Sequence, residues 1–458
     1  MKINQQHQGL QNCYLALFLR IGLAGLAANS AAATRVMAWG DNTYGQTNVP
    51  GGLTNVTMVA QGGMHGLALK GDTTVTAWGY NYNATTPLTY EGQATPPPGL
   101  SNVVQVAAGY NSSLALINNG TVVFWGDTAE TNLPVGTTNM VAVAAGSGES
   151  MALRSDGVVF AWGSNSYGQT NVPNGLTNVI AIASGGVENA VLLSNRTVVV
   201  WGWNGYGQTN PPPFATNVVA IACGLYHVMA LRGDGTVVVW GYNGYGQTNV
   251  PAGLTNVVQI AAGAHHCLAL KRDGRVTAWG YNSSGQGTVP AAVSNVVAIS
   301  ASRYQSLALV NDGTPWILKQ PQNQTVYSGM NGNLSVQAIG GTNFSFQWQF
   351  NGSNISGATN TALTLTNAQT TNSGNYAVVI TSVFGSVTSI PAGLTVLDSP
   401  HHHHRIGDAV ARTTRDENLA AAAQTTGAAG RAAPRRARLR PVLQGRGRTA
   451  LRRGEPGL

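Results

Sequence analysis

Charged residues are few: Asp, Glu, Lys and Arg make up 9% of the 458 residues. Cysteines are fewer still. Cys13, Cys223 and Cys267 are too few for a disulfide framework, and no Cys-x-x-Cys pair offers a zinc site. Helical periodicity is almost absent. Gly, Asn, Thr and Val are abundant instead, which suits strands joined by many turns. No Gly-x-Ser-x-Gly, phosphate loop or His-Glu-x-x-His occurs, and the Ala- and Asn-rich loops hold no clustered metal ligands. The chain is therefore expected to be no enzyme, with no cofactor and no metal.

Its net charge of +8 is a property of one end. Residues 399–458 hold twelve Arg against four acids, 12 − 4 = +8, so the other 398 residues carry 12 basic and 12 acidic side chains. A neutral body gives no basic stripe for nucleic acid, and none is expected to bind through the folded domains. The basic end, with His401–His404 at its head, has too little apolar periodicity to fold and reads as a disordered tail. It could bind anionic surfaces, act as a spacer, or be an unselected extension.

At the other end, Lys2, two apolar runs and Ala31-Ala32-Ala33 describe a secretory signal peptide over residues 1–33. Arg20 interrupts the apolar run and leaves a disordered start as the alternative. No membrane span is expected in the mature chain.

Between the ends the sequence repeats. Trp-Gly recurs at Trp39, Trp78, Trp125, Trp162, Trp201, Trp240 and Trp279, spaced by 39, 47, 37, 39, 39 and 39 residues. A fixed period of this size means a solenoid or a propeller. Four short strand signals per unit favour propeller blades. A second half, Gly-x-x-polar-x-(Leu/Met)-Ala-Leu in varied form, ends at Leu69, Leu116, Leu153, Leu193, Leu231, Leu270 and Leu309. The repeats begin mid-unit and end with a first half followed by a degenerate second half at Trp316. The N-terminal strand can complete the last blade, which closes seven blades and leaves no open sheet edge.

His266, Leu268–Leu270, Asp273-Gly274, Trp279-Gly280, Asn282 and Gly285-Gln286 carry a specific resemblance to the regulator-of-chromosome-condensation repeat family. The short blades resemble its compact bacterial members, including a secreted propeller that inhibits β-lactamase. Over 317–398 the period stops and alternating strands are expected at 334–339, 344–350, 362–365, 376–382 and 386–396. This stretch resembles a bacterial immunoglobulin-like domain. The resemblance makes Trp348 the core tryptophan, Ser373-Gly374-Asn375-Tyr376 a tyrosine corner, and Val336 and Val378 the occupants of the usual disulfide positions. The expected architecture is all-β: a seven-bladed β-propeller over 34–316, an immunoglobulin-like β-sandwich over 317–398 and a disordered tail.

Residues repeated at one phase read as scaffold. The Trp rings are expected to pack between blades. The polar position, read as His65, Ser112, Glu149, Asn189, His227, His266 and Gln305, is expected to bond its own loop. The Tyr of Tyr-Gly-Gln-Thr (Tyr44, Tyr167, Tyr206, Tyr245) reads as packing, and the Asn-Gly and Asp-Gly pairs as hairpin turns.

The positions that vary are the candidates for function. Up-and-down strands place the loop after Ala-Ala-Gly and the loop after Trp-Gly on one face. After Trp-Gly stand Asp41, Tyr80, Asp127, Ser164, Trp203, Tyr242 and Tyr281. After Ala-Ala-Gly the pairs are Gly63-Met64, Tyr110-Asn111, Ser147-Gly148, Val187-Glu188, Leu225-Tyr226, Ala264-His265 and Arg303-Tyr304. Aromatics thus collect on this face, especially over blades five to seven. Tyr80, Tyr110, Trp203, Tyr226, Tyr242, His265, Tyr281, Arg303 and Tyr304 are the candidate binding residues. Simple cover of the blade edges is the competing role. An eight-residue insertion within 80–98 brings Tyr82 and Tyr90 near Tyr80.

These readings describe a monomeric, secreted or cell-envelope binding protein that presents an aromatic propeller face to a protein or glycan. The resemblance adds two alternatives: an inhibitor of a secreted enzyme, and a guanine-nucleotide exchange factor for a small GTPase.

Overall fold

A computed structural model describes residues 33–81, 92–127, 133–341 and 343–398. The signal-like segment up to residue 32, Tyr82, Tyr90 and the basic tail lie outside the described residues.

Seven antiparallel three-stranded sheets form the blades. Blade one is Val56–Gln61, His65–Lys70 and Val75–Gly79, running from an inner strand to an outer one. Blades two to six repeat it around middle strands Ser112–Ile117, Glu149–Arg154, Glu188–Leu193, His227–Arg232 and His266–Lys271. In blade seven, Val296–Ser302 and Gln305–Asn311 are completed by Thr34–Gly40, which pairs Trp39 with Ser306. The ring is therefore closed by a strand that precedes every other blade in the chain. Neighbouring inner strands touch all the way round, blade seven against blade one included.

The physical cause of each blade is legible. Middle strands such as Leu67-Ala68-Leu69 are fully buried, because both of their faces meet neighbouring sheets. The Trp of each outer strand packs on the preceding blade: Trp279 lies with Met229 and Leu231, and Trp240 with Ala190 and Leu192. An Asn at φ between 52° and 58° precedes each inner strand (Asn55, Asn102, Asn139, Asn178, Asn217, Asn256, Asn295). Asn tolerates this left-handed conformation better than other residues with a side chain.

Among the described residues each blade holds three strands, not four. The expected fourth segment, Gly-Gln-x-x-Val-Pro, is a run of turns built by its own amides. In the sixth loop, Asn243 Oδ1 accepts from Thr248 N at 3.0 Å, its Nδ2 donates to Asn249 Oδ1 at 3.0 Å, and Gln247 Oε1 accepts from Tyr245 N at 3.0 Å. Side chains that satisfy backbone groups locally compete with a strand ladder.

The second body is a sandwich. Trp316–Lys319 pairs with Gln337–Ile339, so Trp316 starts the sandwich and is not a degenerate blade strand. Trp348 and Val378 are fully buried and directly paired. The Tyr376 hydroxyl donates to Asn372 O at 2.9 Å, the bond of a tyrosine corner. Val336, 5% exposed, joins this core. The expected strand over 386–396 is split into Gly385–Thr388 and Ala392–Leu397, where Pro391 cannot donate to a ladder. The sandwich touches the Asp-Gly turn side of blade seven: Ser382 Oγ donates to Gly313 O at 3.2 Å, and Trp316 packs among the blade's core residues. Among the described residues, no helix is long and apolar enough to cross a membrane.

Candidate functional site

The face opposite those turns is knitted by backbone. The residue after each Trp-Gly donates its N–H to the second residue of the variable pair in the same blade. Examples are Trp203 N to Val187 O at 3.0 Å and Tyr281 N to His265 O at 2.9 Å. Both variable loops therefore share one face. The first residue of the pair reaches the next blade: Gly63 to Gly109, Tyr110 to Gly146, Ser147 to Gly185, Gly186 to Gly224, Leu225 to Ala264 and Ala264 to Arg303, at 2.8–3.2 Å. These bonds also fix the alignment of blade four. Its pair is Gly186-Val187 and its polar position is Glu188, which faces Gly202 as His65 faces Gly79. The expected Asn189 is one residue too late.

At its three histidines the polar position does not bond its own loop as expected but latches onto the next blade. His65 Nε2 meets Ser113 Oγ at 2.9 Å, and that hydroxyl donates to Gln93 O at 2.9 Å. Trp125 Nε1 donates to the same carbonyl at 2.9 Å. His266, Ser306, Gln286 and Trp39 repeat the relay, and His227 repeats it through Cys267. Because the hydroxyl already donates to the carbonyl, the histidine must donate from Nε2, as a neutral ring. Burial lowers the pKa of His65, His227 and His266 to about 3. The leading Gly makes room: a Cβ on Gly263 would lie 2.1 Å from His266 Cε1.

Two members of this ring are acids. Glu149 and Glu188 stand in adjacent blades and are fully buried. Ser184 Oγ donates to Glu149 Oε1 at 3.4 Å. Val228 occupies the place in blade five that Ser113 and Ser306 hold elsewhere, so Glu188 finds no latch. Neither of its oxygens has a partner of good geometry, although the Gln208 amide and the Val187 N–H face it. Burial first, and the neighbouring Glu149 second, hold its pKa well above the usual carboxylate range. Burial and the same two acids push the Cys223 thiol up, which keeps it un-ionised.

Above this ring the aromatic residues meet. Trp203 packs on Tyr226 with ring centroids 5.1 Å apart, Tyr226 lies 6.3 Å from Tyr242, and Tyr242 lies 5.9 Å from His265. His265 lies 6.3 Å from Tyr281, and Tyr281 lies 5.6 Å from Tyr304. The Arg303 guanidinium ends the arc, 5.5 Å from the Tyr304 ring and 5.2 Å from that of Tyr110 across the central mouth. Trp203 belongs to blade four, so the arc starts one blade earlier than expected. Tyr80 packs edge-on against Tyr44 at 4.9 Å, over blade one.

The tyrosines read as packing residues also stand on this face. Tyr206 lies 4.6 Å from Tyr242, Tyr245 lies 4.6 Å from Tyr281, and Tyr167 lies 6.2 Å from Trp203. Tyr167, Tyr206 and Tyr245 are 46–53% exposed, so repeated positions add rings to the same surface as the variable ones. Their place two residues before the buried Gln was the available signal. The backbone N–H of each tyrosine is tied to that Gln, which leaves the ring to point outward. The central mouth, lined by Tyr110, Leu225, Arg303 and Tyr304, has a volume of about 170 Å³. That is below the roughly 300–1,000 Å³ of ligand pockets, so the site is a surface and not a pocket. Among the described residues no cluster of three metal-ligating side chains occurs.

Comparison with known proteins agrees with this geometry. The regulator of chromosome condensation (RCC1) repeat matches residues 140–169, 218–247 and 257–286. The immunoglobulin I-set domain matches 315–396. No curated protein matches the chain. Among solved structures, Prp20p from Saccharomyces cerevisiae is similar at 21% identity and TM-score 0.51, over 68% of this chain and 95% of that one. The receptor kinase CR4 ectodomain from Physcomitrella patens is similar at 22% and 0.43, over 60% and 69%. The ACR4 ectodomain from Arabidopsis thaliana is similar at 20% and 0.46, over 57% and 93%. The chain thus carries regulator-of-chromosome-condensation repeats, closed into a seven-bladed propeller, followed by an immunoglobulin I-set domain.

Proposed function

We propose that this chain is a non-enzymatic binding protein of the cell envelope or exterior, and that its aromatic propeller face receives a protein or glycan. The observation that carries the reading is the continuous arc from Tyr167 through Trp203, Tyr242 and Tyr281 to Arg303. Tyr, Trp and Arg are the residues that dominate binding energy at interfaces. The opposite face is unlike it, with ion pairs such as Lys70–Asp72, Arg154–Asp156 and Arg232–Asp234 at its turns. Prp20p is described as binding Gsp1p and histones, a precedent for protein ligands on this fold. Export rests on the signal-like start alone, and N-terminal sequencing of the exported chain tests it.

The test of the face is capture by the full chain beside a Trp203→Ala, Tyr242→Ala, Tyr281→Ala variant with verified folding. A partner held by the parent and lost by the variant supports the reading. Equal capture by both refutes this face as the site. Inhibition of a secreted enzyme and nucleotide exchange are the finer alternatives, and the same variant pair decides whether either activity uses this surface.

A further inference from the structure

Hydrogen-bonding capacity on the aromatic face lies in its rings. The loop amide oxygens beneath them are engaged. Asn204, Asn243 and Asn282 accept from backbone N–H groups of their own loops, and Gln208, Gln247 and Gln286 do the same. Asp41, whose N–H binds Tyr304 O, spends its carboxylate on Thr43 and Gln46. What the rings add is phenol, indole and the His265 imidazole. The hydroxyls of Tyr206, Tyr226, Tyr242, Tyr245 and Tyr281 make no intramolecular hydrogen bond among the described residues. Phenols donate and accept, a neutral imidazole does both, and the Trp203 indole N–H only donates. The indole and each phenol can therefore donate to a row of acceptors on a ligand.

Ring geometry narrows it further. Adjacent rings meet at 86° (Trp203–Tyr206), 44° (Tyr206–Tyr242), 76° (Tyr242–Tyr245) and 58° (Tyr245–Tyr281). In edge-to-face pairs one ring's face is covered by its neighbour's edge. The surface is therefore ridged and notched, where a sugar ring would need an open, flat platform. Arg303 is the one described cation in the arc, and no carboxylate stands free beside it.

We propose that this face recognises an extended, proline-rich polypeptide segment. The proposal rests on the binding reading above and names the partner class. A polyproline II helix is pre-formed, exposes backbone carbonyl acceptors, and lacks the N–H donor at every proline. Its pyrrolidine rings fit aromatic notches, the mode by which proline-rich ligands dock aromatic-lined grooves. Tyr206, Trp203, Tyr242 and Tyr245 supply the notches, and their hydroxyl and indole groups bind the carbonyls.

The test is fluorescence anisotropy of labelled decaproline titrated with the full chain, beside a Gly/Ser decapeptide of equal length. Saturable decaproline binding is expected, with at least tenfold weaker binding of the Gly/Ser peptide. The exposed-ring variants Tyr206→Ala and Tyr245→Ala, which remove no core contact, should each weaken decaproline binding about tenfold, about 1.4 kcal/mol. Absence of binding to the parent at millimolar chain, or equal binding by both variants, overturns the proposal. An oligosaccharide panel and the capture experiment run on the same variants. If decaproline fails while a sugar or another protein is bound by the parent and lost by the variants, the binding face stands and the proline-rich partner is wrong. If nothing is lost by the variants, both readings fall.

Discussion

Replacing Glu188 with Gln should stabilise this protein at neutral and alkaline pH. Glu188 is fully buried and sits next to the buried Glu149, and Val228 stands where blades two, six and seven offer the hydroxyl or thiol of Ser113, Cys267 and Ser306. Its folded pKa is raised, so the folded state holds the proton to higher pH than the unfolded chain does. The unfolded pKa is about 4.3. Below it, both states are protonated and the neutral acid costs no ionisation. Above it, the unfolded chain releases the proton first, and stability falls by up to about 1.4 kcal/mol per pH unit until the folded pKa is passed. Glu188→Gln removes this slope. We expect near-equal stability of parent and variant at pH 4, and a gain for the variant at pH 8 of about 1.4 kcal/mol for each pH unit by which the folded pKa exceeds the unfolded one. Urea unfolding of the propeller transition, followed by tryptophan fluorescence at both pH values, reads this difference. The comparison cancels the titration of exposed groups, because they are common to both proteins. Glu149, Cys223 and Tyr226 are the titratable groups that share this environment. A Glu188→Gln chain no more stable than its parent at pH 8, or with the same pH dependence, would refute the argument.

Three further outcomes follow from the latches and the sandwich. Ser306→Ala strands the His266 Nε2 donor and should cost about 1–3 kcal/mol, whereas Ser306→Cys should retain most of the stability, since Cys267 fills the equivalent place; equal losses in thermal melts would argue against the relay. Gly263→Ala drives a Cβ into His266 and should cost at least about 1–3 kcal/mol. Adding His266→Ala should recover part of that loss, so a double-mutant cycle with additive effects would contradict the packing. Tyr376→Phe removes the bond to Asn372 O and should lower sandwich stability by about 1 kcal/mol without moving the propeller transition.

The blade count was legible because each Trp must reach the preceding blade at a fixed phase, and because Thr34–Gly40 supplies the strand that blade seven lacks. Trp348, Tyr376, Val336 and Val378 were legible for a similar reason: an apolar core leaves few residue types for those places. Other features were not. Gly-Gln-x-x-Val-Pro alternates like a strand, yet its Gln and Asn side chains satisfy the backbone before a neighbouring strand can. Glu188 was missed by one residue, because Glu188-Asn189 offers two polar residues and only the pairing with Gly202 chooses between them.

By itself, then, the sequence determined the repeat, the closure of seven blades, the second domain and the face on which variable residues gather. These follow from local pattern and strand alternation. Only the tertiary structure decided that Tyr167, Tyr206 and Tyr245 turn outward into the arc, that Arg303 spans the mouth to Tyr110, and that two glutamates share one buried environment. The rings and the glutamates depend on which blades stand side by side, a relation between residues some forty positions apart, and the Arg303–Tyr110 contact depends on closure of the ring, which joins residues far apart in the chain; the period of a single strand encodes neither.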